Sequence, residues 1–495
     1  MTLTSIGPEQ EGRRWGALAL IVAAQFMVIL DVAIVNVALP SIKADLHFSQ
    51  ESLQWVITAY AILFGGALLL GGRLADLFGR RRLFVAGLTV FVLSSLLSGL
   101  AWSEGSLIAF RALQGLGGAL LAPAALSILM MTFPEGRERN TALGIWGAAS
   151  GSGGAAGVLL GGVLTSYLNW SWIFFINIPV GAVVIALAPW LLRESSIETT
   201  HRRFDLAGAA SVTSGLMLLV YAMTRATEQG WGSVTTIALL AASAALIVAF
   251  VAIELRSQAP LLPLRMFRLR TLAAANAAGL VIAAVGFSMF FLLTLYLQQV
   301  LDYSAVQTGV AFIAITLTIV VFSNVAQTLV TRVGARPVLT TGLLLAAGAL
   351  ALLARLPVHG HYFWDVFPAL LLGGVGMAFS FVPMTIAGLT GVERADAGVA
   401  SGLINTSRQI GGAVGLAAVS TIATTYTNHY ASDHAGTTSL SGSALTHGFD
   451  VTFYVLAALA IVGALVAAIF IESQPRQAEI EGLNPETAIP IEEAA

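Results

Sequence analysis

Gly72-Arg73-Leu74-Ala75-Asp76-Leu77-Phe78-Gly79-Arg80-Arg81-Arg82-Leu83 is a short charged turn between two long apolar runs, residues 53–72 and 83–102. A bilayer core is crossed by about 20 apolar residues in a helix, so the turn reads as the link between two membrane-spanning helices. Its three consecutive arginines mark the side on which it lies, because loops on the cytoplasmic face hold the excess of Lys and Arg.

The same grammar repeats outward in both directions. Predicted spans cover 15–38, 53–72, 83–102, 106–131, 141–167 and 172–192, then 205–225 and 233–254, and then 272–298, 307–330, 337–356, 365–389, 399–426 and 450–471. The first run is too long for the core of a cleavable signal peptide and reads as a span. With fourteen spans and both termini cytoplasmic, nineteen of the 24 basic residues fall in cytoplasmic segments; Lys43, Arg225 and Arg355 fall outside, and Arg111 and Arg408 fall within the membrane. One missed helix would invert every downstream segment, and no inversion occurs.

Composition agrees. The chain is 57% hydrophobic and 10% charged, against about a quarter charged in a soluble domain. A net charge of −2 indicates no nucleic-acid partner, and the absence of cysteine excludes disulfides and thiol chemistry. Leu329-Val330-Thr331-Arg332-Val333-Gly334-Ala335-Arg336 echoes the opening turn. The expected architecture is an all-α membrane protein: a cytoplasmic N-terminus (1–14), a six-helix bundle (15–192), an inserted helix pair with its loops (193–260), a second six-helix bundle (261–471) and a disordered cytoplasmic tail (472–495). The Ser-, Thr- and His-containing stretch 427–449 reads as an external loop.

Deep charges cost roughly 2.5–3.5 kcal/mol each on insertion scales, so each needs a reason. Asp31 in span one and Arg111 in span four lie at similar depths in the outer half. Arg111, Gln114, Gly115 and Gly118 form one polar seam at i, i+3, i+4 and i+7, and facing Asp31 they would make a site that takes a proton when the carboxylate is desolvated and releases it when the guanidinium approaches. A fixed structural pair is the alternative. Asp31 is the one carboxylate well inside a predicted span, which sets one tightly coupled proton at most and disfavours a doubly charged substrate. Arg408, on a face with Ser401, Asn405, Gly412 and Gly415, either points inward or snorkels to headgroups. Gly72, Asp76, Gly79 and Arg80 form either a conformational gate or an orientation anchor. Gly153, Gly157 and Gly161 make a smooth face for close helix packing or sliding. Candidate substrate-lining residues are Phe26, Trp55, Tyr60, Gln114, Phe287, Phe291, Asn324 and Phe379. The seven histidines all fall in predicted loops and read as solvated rather than metal-binding. No nucleotide-binding or hydrolase motif is present, and no enzyme activity or cofactor is expected.

Several of these segments together resemble the fourteen-helix drug:proton antiporters of the major facilitator superfamily, the EmrB/QacA type. Leu30-Asp31 through Pro40 matches that family's first-helix motif, and Gly72 through Leu83 its loop motif. Leu107, Arg111, Gln114 and Gly115 match its fourth-helix motif, Trp170 through Gly181 the stretch leading into helix six, and Ser401 through Gly412 a late-helix signature. The chain departs at Gly157-Val158, where the family has Gly-Pro, and at Ser171, where an arginine is common. The resemblance implies proton-coupled efflux of amphiphilic drugs, dyes or antibiotics across a bacterial cytoplasmic membrane by a monomer, powered by the proton gradient. Asp31 and Arg111 would carry the proton, and Asp76 and Arg80 the gate. An importer or facilitative carrier on the same scaffold, or a non-transporting receptor, remains open from the residues alone.

The chain lacks cysteine, so single cysteines report topology. A membrane-impermeant maleimide added to intact cells should label Gly232→Cys and leave Arg82→Cys untouched; the opposite pattern would invert the arrangement.

Overall fold

A computed structural model describes residues 8–48, 50–53, 55–195, 205–257, 260–393, 396–434, 438–439 and 441–472. Among them every regular element is helical. The first group comprises α1 (Pro8–Leu46), α2 (Trp55–Phe78), α3 (Arg80–Gly99), α4 (Glu104–Thr132), α5 (Arg137–Tyr167) and α6 (Asn177–Leu191). The inserted pair is α7 (Leu206–Gln229) and α8 (Val234–Glu254). The last group comprises α9 (Arg270–Leu295), α10 (Ile313–Val333), α11 (Ala335–Leu353), α12 (Phe367–Leu389), α13 (Ala397–Asp433) and α14 (Gly442–Phe470). Thirteen helices are long and apolar enough to cross a membrane, and α5, bent by 40° between Gly154 and Ala156, makes a fourteenth when its two segments count as one span.

Local sequence explains several helix starts. Ser103 accepts from the Ser106 amide in a capping box that begins α4, and Asp205 accepts from Gly208 to begin α7. The two echoed turns share a conformational demand: Gly79 (φ 106°) joins α2 to α3, and Gly334 (φ 86°) joins α10 to α11. Both lie in backbone territory that a Cβ disfavours, so the repeat preserves the glycine, along with a leucine (Leu74, Leu329) and one arginine (Arg81, Arg336), while the rest drifts.

Within the first group α4 packs on α2 and α3, and α1 on α5 and α6. Within the last, α11 packs on α12 and α14, and α9 on α13. The groups meet along two seams, α2 with α13 and α5 with α10 and α12. Small residues permit these approaches. A Cβ on Gly144 would meet Gln327 at 2.9 Å and one on Gly147 would meet Val382 at 2.8 Å, while Gly72 and Gly398 touch backbone to backbone. Helix α7 lies against both α2 and α13. Only 17% of the most apolar stretch of α8 is buried, which leaves α8 facing lipid.

The structure revises three sequence expectations. Helix α1 starts at Pro8, so the helix continues through Arg13 and Arg14 beyond the apolar run. The stretch 427–449 is largely helical, because α13 runs to Asp433 and α14 begins at Gly442; polar residues extend both helices beyond the apolar part. His429 and His447 therefore sit on helices. The early start of α14 also makes Asp450 its ninth residue, so Asp31 is not the only carboxylate inside a long helix. The expected tail, 472–495, lies almost wholly outside the described residues.

Gly79→Ala and Gly334→Ala should each cost about 1–2 kcal/mol from backbone conformation. Gly79→Ala should cost more, since its Cβ would come within 2.6 Å of Glu194 Oε1. Thermal unfolding in detergent, followed by tryptophan fluorescence, checks the order.

Candidate functional site

Five helices converge on Asp31, which is completely buried. Its Oδ2 accepts from Arg111 Nη1 on α4 at 2.6 Å; its Oδ1 accepts from Gln114 Nε2 at 2.8 Å and from Asn177 Nδ2 at 3.0 Å. Arg111 Nη1 also donates to Gln114 Oε1 at 2.6 Å, and its Nε donates to the Val56 carbonyl in the first turn of α2 at 3.2 Å. The guanidinium lies over the Tyr60 ring, 4.4 Å from its centroid. Asn177, the first residue of α6, donates in addition to Ser95 Oγ on α3 at 3.0 Å, and Ser95 donates to the Phe174 carbonyl at 2.9 Å. Three donors on one carboxylate describe an anion. A neutral acid would bring a donor of its own, which none of these three nitrogens can accept.

The second site closes the Arg-rich end. Asp76, also completely buried, pairs with Arg80 at 2.7 Å. Its Oδ1 accepts from the Gly398 amide and its Oδ2 from the Val399 amide, both at 3.2 Å. These are among the first amides of α13, which no helical carbonyl satisfies, so Asp76 on α2 caps a helix of the opposite group and meets its positive dipole end. Asp396, which begins α13, uses its own carboxylate on Arg265 at 2.9 Å instead. That contact and Glu393 hold the exposed Arg265 guanidinium above its usual pKa. Across the other seam, Asn140 donates to Thr331 at 3.1 Å.

Glu194 and Ser195, just past α6, brace this turn. The Glu194 carboxylate accepts from the Arg81 and Arg82 amides, both at 3.2 Å, at the first turn of α3. Ser195 accepts from Arg80 through both its carbonyl and its hydroxyl.

The structure thus brings together Asp31 with Arg111 and Gln114, and Gly72 with Asp76, Gly79 and Arg80. Gly153, Gly157 and Gly161 pack on α1 beside Asp31: a Cβ on Gly157 would meet the Leu30 carbonyl at 2.7 Å and Ala33 at 2.8 Å. The candidate substrate-lining residues fall in several different surroundings, with Gln114 already placed on Asp31. Tyr60 is buried beneath Arg111 and stacks on Phe64, which places it in the Asp31 cluster. Trp55 faces Tyr221 of α7 at 5.6 Å. Phe26 packs on the apolar cluster around Leu30, Ile34 and Phe174. Phe287 lies against Gly412, Phe291 packs on the main core, and Phe379 pairs with Phe322 at 6.3 Å. Asn324 is exposed on a face of α10 shared with Leu317, Val321 and Val325, an apolar surface suited to lipid. Aromatic residues signal burial in lipid or core equally well, so composition could not single out a lining. Arg408 does not snorkel: its guanidinium rests 4.8 Å from the Phe381 ring centroid, and its Nε is buried.

Sequence reasoning missed the roles of Asn177, Ser95, the Val56 carbonyl, Glu194 and Ser195. Asn177 lies within the Trp170–Gly181 stretch, where a lone amide at the start of a span could have drawn attention; backbone acceptors leave no sequence trace.

Across residues 21–416 the sequence matches the Major Facilitator Superfamily. The chain belongs to this superfamily. Among curated members, it is 40% identical over 482 residues to puromycin resistance protein pur8 of Streptomyces alboniger, covering 96% of this chain and 94% of that protein. It is 41% identical over 409 residues to cephamycin export protein CmcT of Amycolatopsis lactamdurans, covering 82% and 84%. Among solved structures, the human organic anion transporter MFSD10 (TETRAN) shares the fold, with a TM-score of 0.61 at 16% identity over 93% of this chain and all of that one. The expected all-α major facilitator fold therefore stands.

Breaking a buried pair on one side costs about 3–5 kcal/mol, because the remaining charge is stranded. Arg111→Gln should be destabilised on that scale, while Asp31→Asn with Arg111→Gln should recover most of the loss. Denaturant unfolding of the four proteins of this cycle measures the coupling.

Proposed function

We propose that this superfamily member is a proton-coupled exporter of amphiphilic small molecules, antibiotics among them, across a bacterial cytoplasmic membrane. The carrying observation is the Asp31 cluster: an anionic carboxylate sealed among α1, α3, α4 and α6, whose guanidinium partner also grips the first turn of α2. The two similar proteins are named for puromycin resistance and cephamycin export, which supports the outward direction.

Helix α2 supplies the mechanical link. Tyr60 and Asp76 lie sixteen residues apart on it, about 24 Å at 1.5 Å per residue. A proton arriving at Asp31 from outside neutralises it, and Arg111 loses its strongest partner. The Val56 carbonyl and the Tyr60 ring, both held by Arg111, then shift, and α2 moves as a rod. At its far end Asp76 releases the Gly398 and Val399 amides, which parts the halves at the Arg-rich, cytoplasmic end. Substrate enters there, Arg111 returns to Asp31, and the proton leaves to the cytoplasm. The small-residue face at Gly153, Gly157 and Gly161 lets α1 shift against α5 without a helix-bending proline at 158.

Everted vesicles test this reading. Wild type should accumulate a cephamycin when an inward-acid pH gradient is imposed, and Asp31→Asn should lose at least tenfold of that uptake while still binding the substrate. Gradient-driven uptake surviving in Asp31→Asn would sink the coupling. Asp76→Asn should slow exchange while leaving the gradient dependence in place.

A further inference from the structure

Arg408 is a buried cation that the coupling scheme does not use. It stands eleven residues into α13, about 16 Å from its start. A Cβ added to Gly279 of α9 would lie 3.8 Å from the Arg408 stem, and its guanidinium lies over Phe381 of α12. Among the described residues nothing accepts a hydrogen bond from it: Nε is covered and unpartnered, and the terminal nitrogens, equally without partners, keep access to space. Its neighbours fix the direction it serves. Gln409 reaches Gly65 of α2, and Val382, beside Phe381, abuts Gly147 of α5. Arg408 and Phe381 are thus each one residue from a side chain that meets the first helix group. A guanidinium has five donors in a planar fork suited to carboxylate or phosphate, and leaving it unpaired among apolar helices is costly. Every other deep guanidinium described above has an oxygen partner.

We propose that Arg408 is the polar anchor of the substrate site, and that the transported molecules are aromatic amphiphiles carrying an anionic oxygen group, a carboxylate or an enolate. The oxygen group takes the guanidinium fork and the ring system lies along Phe381. A cation lacking such a group meets like charge there and is handled poorly. This deepens the export reading above and rests on it for the word substrate, although binding itself does not require transport.

Fluorescein and rhodamine 6G share one ring system and differ in charge, so they serve as probes. Fluorescence anisotropy with the purified full chain in neutral detergent should give fluorescein binding at least tenfold tighter than rhodamine 6G. Arg408→Gln should weaken fluorescein at least tenfold and leave rhodamine 6G unchanged or tighter, and Arg408→Lys should keep part of the preference. Equal binding of the two dyes by wild type, a result that needs no variant, overturns the proposal. So does an equal loss of both in Arg408→Gln, which is the mark of a packing role. Displacement of fluorescein by phosphatidylglycerol at stoichiometric amounts would assign the fork to a lipid headgroup and overturn it too. Arg408-dependent binding without gradient-driven uptake would sink export and leave the anchor standing; uptake with Arg408-independent binding would do the reverse.

Discussion

A carboxylate and a guanidinium 2.6 Å apart in the interior of a membrane protein constrain everything around them. Neither charge can be left alone in a medium of low dielectric, and the pair repays its desolvation only when its remaining lone pairs and protons are also satisfied. Gln114, Asn177 and the Val56 carbonyl are that satisfaction, and each comes with its own helix. The cost of burying Asp31 is thereby spread over α1, α2, α4 and α6, with α3 joined through Ser95. A change in the charge of that one group would be felt by all five helices.

The far end of the same assembly uses the same currency differently. Asp76 is satisfied partly by Arg80 on its own side and partly by two amides at the start of α13. The first contact lies within one half. The second crosses between the halves, so in the proposed cycle it would be given up when they part there. Glu194 holds the Arg80–Arg82 turn in register from behind, which keeps Asp76 aimed across the seam. Helix α2 carries both residues that respond to Arg111 and the one that grips α13.

The architecture was legible in the sequence because lipid imposes a coarse rule: about 20 apolar residues per crossing and arginine on one side. The same rule hid what departs from it. Helices that continue past the apolar run, as α1 does through Arg14 and α13 through Asp433, look like loops to hydropathy. Asp31, Arg111 and Gln114 were legible because deep polar groups on one face must meet something. Gly72, Asp76 and Gly79 were legible as a pattern, but the partner of Asp76 was not, since an amide at a helix start has no side chain to read. The substrate lining was less legible for a related reason: in a chain that is 57% hydrophobic, another phenylalanine carries almost no information, and of the two polar candidates Gln114 is bonded to Asp31 while Asn324 sits on an outer face. Arg408 was readable as an anomaly and only the packing against Phe381 gave it a direction.

The central claim is that protonation of Asp31 and closure at Asp76 are two ends of one equilibrium. Spin labels on Arg82→Cys and Arg332→Cys, placed on opposite halves of a chain with no native cysteine, measure that closure as a distance in nanodiscs. The separation should lengthen on acidification in the otherwise native protein, and in Asp31→Asn it should be long at both pH values. An Asp31→Asn protein that keeps the full native response to pH would contradict the account.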